Sequence, residues 1–200
     1  MLSEFEGKII QVRASGFGDL LLIVVEQFNR HCCLIQNAYE VNGSIPSYET
    51  IKKDYPEHKS ISIIAQTFTA MVIEAFYFDY YHSRVSKGKA ERWSKQSPLN
   101  QFTDLSEKFL KVNHSDQAEL YSRLENLNKL RKRWVHNQST QLGKYKKDLD
   151  YYNADGCIQL LREFFEYFYT HDPECLIAKV TLDGLTQVQL DNKGFIGRNK

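Results

Sequence analysis

Apolar residues recur at intervals of three and four along five stretches of this chain, and five such stripes are buried together most simply as packed amphipathic helices. The first stretch, 18–39, carries Leu21, Val25, Phe28, Cys32 and Ile35, although its LLLIVV core taken alone also suits a buried strand. The second starts near Pro56 and runs to about Lys87, with Ile61, Ile64, Phe68, Val72 and Ala75 on one face and Gly88 as its stop. A third follows Pro98 with Phe102, Leu105, Phe109 and Leu110. The fourth follows Ser115-Asp116, a suitable cap, with Leu120, Leu124, Leu127 and Trp134. The fifth spans Asn153 to Tyr169 and turns Cys157, Leu160, Leu161, Phe164, Phe165 and Phe168 inward. The expectation is a mainly all-α protein, a five-helix bundle.

The ends read differently. AKVTLDGLTQVQLD alternates apolar and polar residues around Asp183-Gly184, a dipeptide suited to a two-residue hairpin turn, and KIIQVR near the start suits one strand. VNGSIPSYETIKKDYPEHKS, with Gly43, Pro46 and Pro56, reads as a connecting loop. Residues 1–175 are therefore expected to form the helical domain, with small β-like segments at the termini and a hairpin-like extension over 176–200.

With 42% hydrophobic and 26% charged residues, the 200-residue chain has the material for one soluble domain with a real core. Cys32, Cys33, Cys157 and Cys175 show no zinc-ligand spacing and read as buried reduced thiols; no motif asks for a metal or a cofactor. The start lacks a basic, then apolar secretory pattern, and the apolar run Leu20–Val25 is too short for a bilayer, so a cytoplasmic protein without a membrane partner is expected.

The net charge of +1 conceals one uneven stretch: LNKLRKRWVHNQSTQLGKYKK, residues 127–147, has seven Lys or Arg and no Asp or Glu. On a helical wheel with Leu127 at zero, Arg131 falls about 40° away, inside the apolar stripe, while Lys129, Lys132 and Arg133 lie on the far side. A guanidinium in that position keeps its charge and needs an acceptor. On the second helix Asp79 falls about 20° from Phe68 and Glu74 about 120° away, so Asp79 is the expected partner and Glu74 the second choice. His136 lies about 140° around the wheel from Arg131, so the two meet only if the helix ends near Val135 to Asn137 or if the site is assembled from two chains.

The run Leu130-Arg131-Lys132-Arg133-Trp134-Val135-His136-Asn137 resembles the Arg-x4-His signature of the HEPN superfamily, the higher eukaryotes and prokaryotes nucleotide-binding domain. IEAFYFDYY, Ile73 to Tyr81, is similar to its acidic, aromatic second-helix segment. The resemblance is strongest over 60–170. It implies a HEPN-like bundle acting as a metal-independent endoribonuclease, a hydrolase of toxin-antitoxin or defence systems. It further implies a homodimer with Arg131 and His136 of both copies at one cleft, and a cognate antitoxin or other regulatory protein as a possible further partner. Asp79, Glu74, Lys132 and Asn137 would support the pair, and Lys129, Arg133, Lys144, Lys146 and Lys147 would hold the RNA backbone. Lys132 stands where many active members carry Asn, Asp or His, and Gln138 where nucleotidylated members carry Tyr. The alternative is a HEPN-like module that binds RNA or a protein, or only dimerises, without catalysis.

Overall fold

The computed structural model of the protein describes residues 2–5, 8–11, 16–135 and 153–192, with side chains for 16–132 (Tyr48, His114 and Ser115 apart) and 153–192. Strands β1 (Leu2–Phe5) and β2 (Lys8–Gln11) pair antiparallel in the register Leu2 to Gln11 and Phe5 to Lys8, so KIIQVR does supply a strand. Everything else regular among the described residues is helical.

Among the described residues eight α-helices follow, not five: α1 (Phe17–Asn42), α2 (Tyr48–Asp54), α3 (Glu57–His82), α4 (Lys87–Trp93), α5 (Pro98–Leu105), α6 (Ala118–Val135), α7 (Ala154–His171) and α8 (Leu176–Asp191). The five expected helices are present as α1, α3, α5, α6 and α7. The three others arise where local chemistry overrides the sequence signals for loop and turn. Helix α2 occupies part of the expected loop, its first turn capped by Ser47, whose side chain accepts from the Thr50 amide. Helix α3 stops at His82, short of Gly88. There the Ser83 hydroxyl and the Arg84 guanidinium donate to the Tyr80 carbonyl at 2.8 and 3.0 Å and satisfy an acceptor that the last turn would otherwise leave open. Gly88 then lies inside α4, and Trp93 of α4 stacks on Tyr81 at 4.1 Å while donating to Asp104 on α5.

The expected C-terminal hairpin is α8. Asp183-Gly184 sits in mid-helix because Ala178, Thr181 and Leu185, spaced three and four, are buried against the bundle. Burial of that stripe outweighs the cost of about 1 kcal/mol for a helical glycine. Helix α8 runs antiparallel to α7, with Arg162 donating to Gln189.

Helix α3 is the axis of the bundle, packed by α1, α6 and α7. It is long and apolar enough to cross a membrane by length and composition, and 56% of its most apolar window is buried inside the bundle. Ring contacts of Phe17 with Phe76 and of His31 with His58 show α1 antiparallel to α3. At the centre Phe76 meets Phe164, Phe165 and Phe168 edge-on at 5.5, 5.1 and 4.8 Å. Such edge-to-face pairs contribute about 0.5–1.5 kcal/mol each beyond area burial. At the far end Tyr80 donates to Asp172, which also pairs with Arg84, so the ends of α3 and α7 are joined.

Past α5 the chain continues as a π turn over Ser106–Leu110, and a 3-10 turn over His114–Gln117 leads into α6. Helix α7 begins at Asn153, whose side chain accepts from the Gly156 amide at 2.8 Å, at the boundary expected for it. Of the four cysteines, Cys32, Cys157 and Cys175 are buried and Cys33 is exposed, all of them free thiols. Burial pushes the Cys32 and Cys157 thiols up to about 12 and Cys175 up to about 11, which makes the three poor nucleophiles.

Candidate functional site

Helix α6 presents Leu120, Leu124, Leu127 and Leu130 to the core, all buried, and Lys129 and Lys132 to solvent. Arg131, expected inside the apolar stripe, comes instead between these faces with 28% of its side chain exposed. Its Nη1 donates to Oε1 of Glu74 on α3, whose side chain is 30% exposed. A guanidinium and a carboxylate that each keep about a third of their surface in water form a pair of modest strength, about 1 kcal/mol or less.

The expected partnership with Asp79 is thus corrected: Arg131 pairs with Glu74, and Oδ1 of Asp79 is buried without a hydrogen-bond partner. The reason lies in α3 being covered on several sides. Ala70, Ile73, Glu74 and Tyr77 form the face toward α5 and α6, whereas the Phe68 stripe, with Asp79 on it, belongs to another side. The signal that favours Glu74 is its place as a lone acid in MVIEAF, between residues that α6 covers.

Beside the ion pair, Ala70, Ile73, Tyr77, Leu99, Leu124 and Leu127 line a narrow cleft between α3, the start of α5 and α6, with Asn128 and Glu74 on its polar side. Tyr77 is buried, and burial followed by the nearby Glu74 charge holds its phenol well above the usual range, so it stays neutral. Burial pushes the Glu74 carboxyl up, and the Arg131 charge and hydrogen bond oppose that shift.

Of the basic residues, Lys132 is exposed and Lys129, also exposed, lies 3.0 Å from Glu125 one turn earlier. Arg133 belongs to α6, but its side chain lies outside the described residues. His136, Asn137, Lys144, Lys146 and Lys147 lie outside them altogether. The structure therefore brings together Arg131, Glu74 and the apolar cleft.

A second bridge was not legible in the spacing: Arg123 of α6 pairs with Glu163 of α7, which also accepts from Gln159 at 2.8 Å. Next to it a cleft of about 330 Å³ is lined by Glu119, Glu163, Glu166, Tyr167 and His171. Its carboxylates disfavour phosphate there. Among the described residues no group of three or more His, Cys, Asp or Glu is arranged to hold a metal ion. Set against family models, curated proteins and solved structures, the chain matches none of them.

Proposed function

We propose that the protein is a metal-independent endoribonuclease of the HEPN type, working as a homodimer whose copies each contribute Arg131 and His136. The observation that carries this reading is Arg131 itself. It is a partly exposed guanidinium held by a carboxylate one turn before the end of α6, immediately ahead of a stretch with no acidic residue.

The residue types suit the reaction. The ribose 2′-oxygen forms a bond to phosphorus, the bond from phosphorus to the 5′-oxygen breaks, and the products are a 2′,3′-cyclic phosphate and a 5′-hydroxyl. One proton must leave the 2′-hydroxyl and one must reach the departing 5′-oxygen. An imidazole titrating near neutrality serves either transfer, so two copies of His136 supply a base and an acid. Arg131 meets the charge that builds on the phosphoryl oxygens with fixed planar donors. Lys129, Lys132 and Arg133 on α6, and Lys144, Lys146 and Lys147 beyond it, hold the backbone without reading sequence.

Incubation of purified protein with structured and unstructured RNA in EDTA tests the proposal, with analysis of the product ends. Cyclic phosphate ends in the presence of EDTA support it. Intact RNA throughout moves the reading to the binding module, which the occupied Arg131 and the adjacent Lys132 favour. Sedimentation at micromolar concentration tests the dimer, and a monomer counts against the shared site.

A further inference from the structure

We propose that Glu74 is an exchangeable cover on Arg131: its carboxylate occupies the guanidinium in the free protein, and RNA binding replaces it with a phosphoryl oxygen. The inference rests on the ribonuclease reading and adds a regulation to the same site. Three observations support it. The pair joins two helices, α3 and α6, so the carboxylate can be left behind without unwinding either. Both side chains keep near 30% exposure, so an incoming phosphate reaches the guanidinium from solvent. Carboxylate and phosphate offer the same fork-shaped set of acceptors to arginine, and one anion exchanges for the other at nearly constant charge.

The surroundings of Glu74 suit its release. Arg131 is the cation that faces it from α6, with Asn128 as the polar neighbour. Helix α5 contributes only Pro98 and Leu99, and on α3 the titratable neighbour is the neutral Tyr77. Burial already favours the protonated carboxyl. Once Arg131 turns to RNA, Glu74 can take up a proton instead of remaining as an unpaired charge.

The test is fluorescence anisotropy of a labelled single-stranded RNA with every 2′-hydroxyl methylated, so that binding is read without cleavage. Wild type, Glu74→Gln, Arg131→Ala and the double variant are compared at low salt after circular dichroism establishes that each is folded. Glu74→Gln is expected to bind about three- to tenfold tighter than wild type, and the gain should vanish when Arg131→Ala is added. Glu74→Ala serves the same comparison if the Gln variant unfolds. Equal or weaker binding on removal of the carboxylate overturns the proposal, as does a gain that survives Arg131→Ala or an absence of RNA binding in every variant. Unmodified RNA separates the two readings: a gain through Arg131 without cleavage retains the cover and removes the ribonuclease, while cleavage without a gain does the reverse.

Discussion

His31 on α1 and His58 on α3 hold their rings 5.4 Å apart inside the bundle, both nearly inaccessible to water, and Nδ1 of His31 has no hydrogen-bond partner. Burial first, and the neighbouring His58 second, lower His31 to about 4 from an ordinary 6.5. His58 stands in the first turn of α3.

Acid should therefore weaken the fold through His31. Between the two values the unfolded chain binds the proton and the folded chain does not, so stability falls as pH drops from about 6.5 toward 4. The His31 share of that loss amounts to about 2 kcal/mol between pH 7 and pH 5. His31→Phe, which keeps a ring in the space, should flatten the pH dependence of urea unfolding by that amount. Parallel curves for the two proteins would show that His31 does not titrate in this way.

Phe76 is the hub of the aromatic core, 1% exposed and in edge contact with three rings of α7. Phe76→Ala should lower stability by about 3–5 kcal/mol, the usual range for losing a buried ring. Calorimetric unfolding checks this, and a loss below about 1 kcal/mol would mean that the core refills the space.

The proposed ribonuclease reading makes a separate demand. On that reading Arg131→Ala and His136→Ala should each lower RNA cleavage by about 10² or more, since the first would lose the charge proposed to stabilise the phosphoryl group and the second the proposed proton carrier. Binding of RNA should persist in the His136 variant through the surrounding lysines. Equal cleavage by wild type and His136→Ala, compared at matched RNA occupancy, would remove His136 from the chemistry.

Salt should report the basic segment. Neutralising Lys144, Lys146 and Lys147 together should reduce the slope of log affinity against log salt by about 2, since each single-strand phosphate contact contributes about 0.7. An unchanged slope would place the RNA elsewhere on the surface.

Where apolar spacing and a cap agreed, the fold was legible in the residues. Asn153 marks the start of α7, and the stripe Leu120, Leu124, Leu127 of α6 is buried as its spacing implies. The spacing misled where one pattern fits two structures. Val180, Leu182 and Val188 alternate as a strand would, yet Ala178, Thr181 and Leu185 are also spaced for a helix, and packing on α7 decided between them. The choice of Asp79 over Glu74 failed for a related reason. A wheel ranks positions against one stripe, and α3 has neighbours on several sides, so only the packing of α6 shows which acid lies opposite Arg131.

Helix α6 is bridged to two different helices by arginines eight residues apart, Arg123 to α7 and Arg131 to α3. At 1.5 Å per residue the two attachments are about 12 Å apart, and about 80° apart around the axis. Between them Leu124, Leu127 and Leu130 are buried, so the helix is held along its length as well as at both arginines. The two bridges thus resist rotation of α6 about its own axis, in addition to the packing of its leucines.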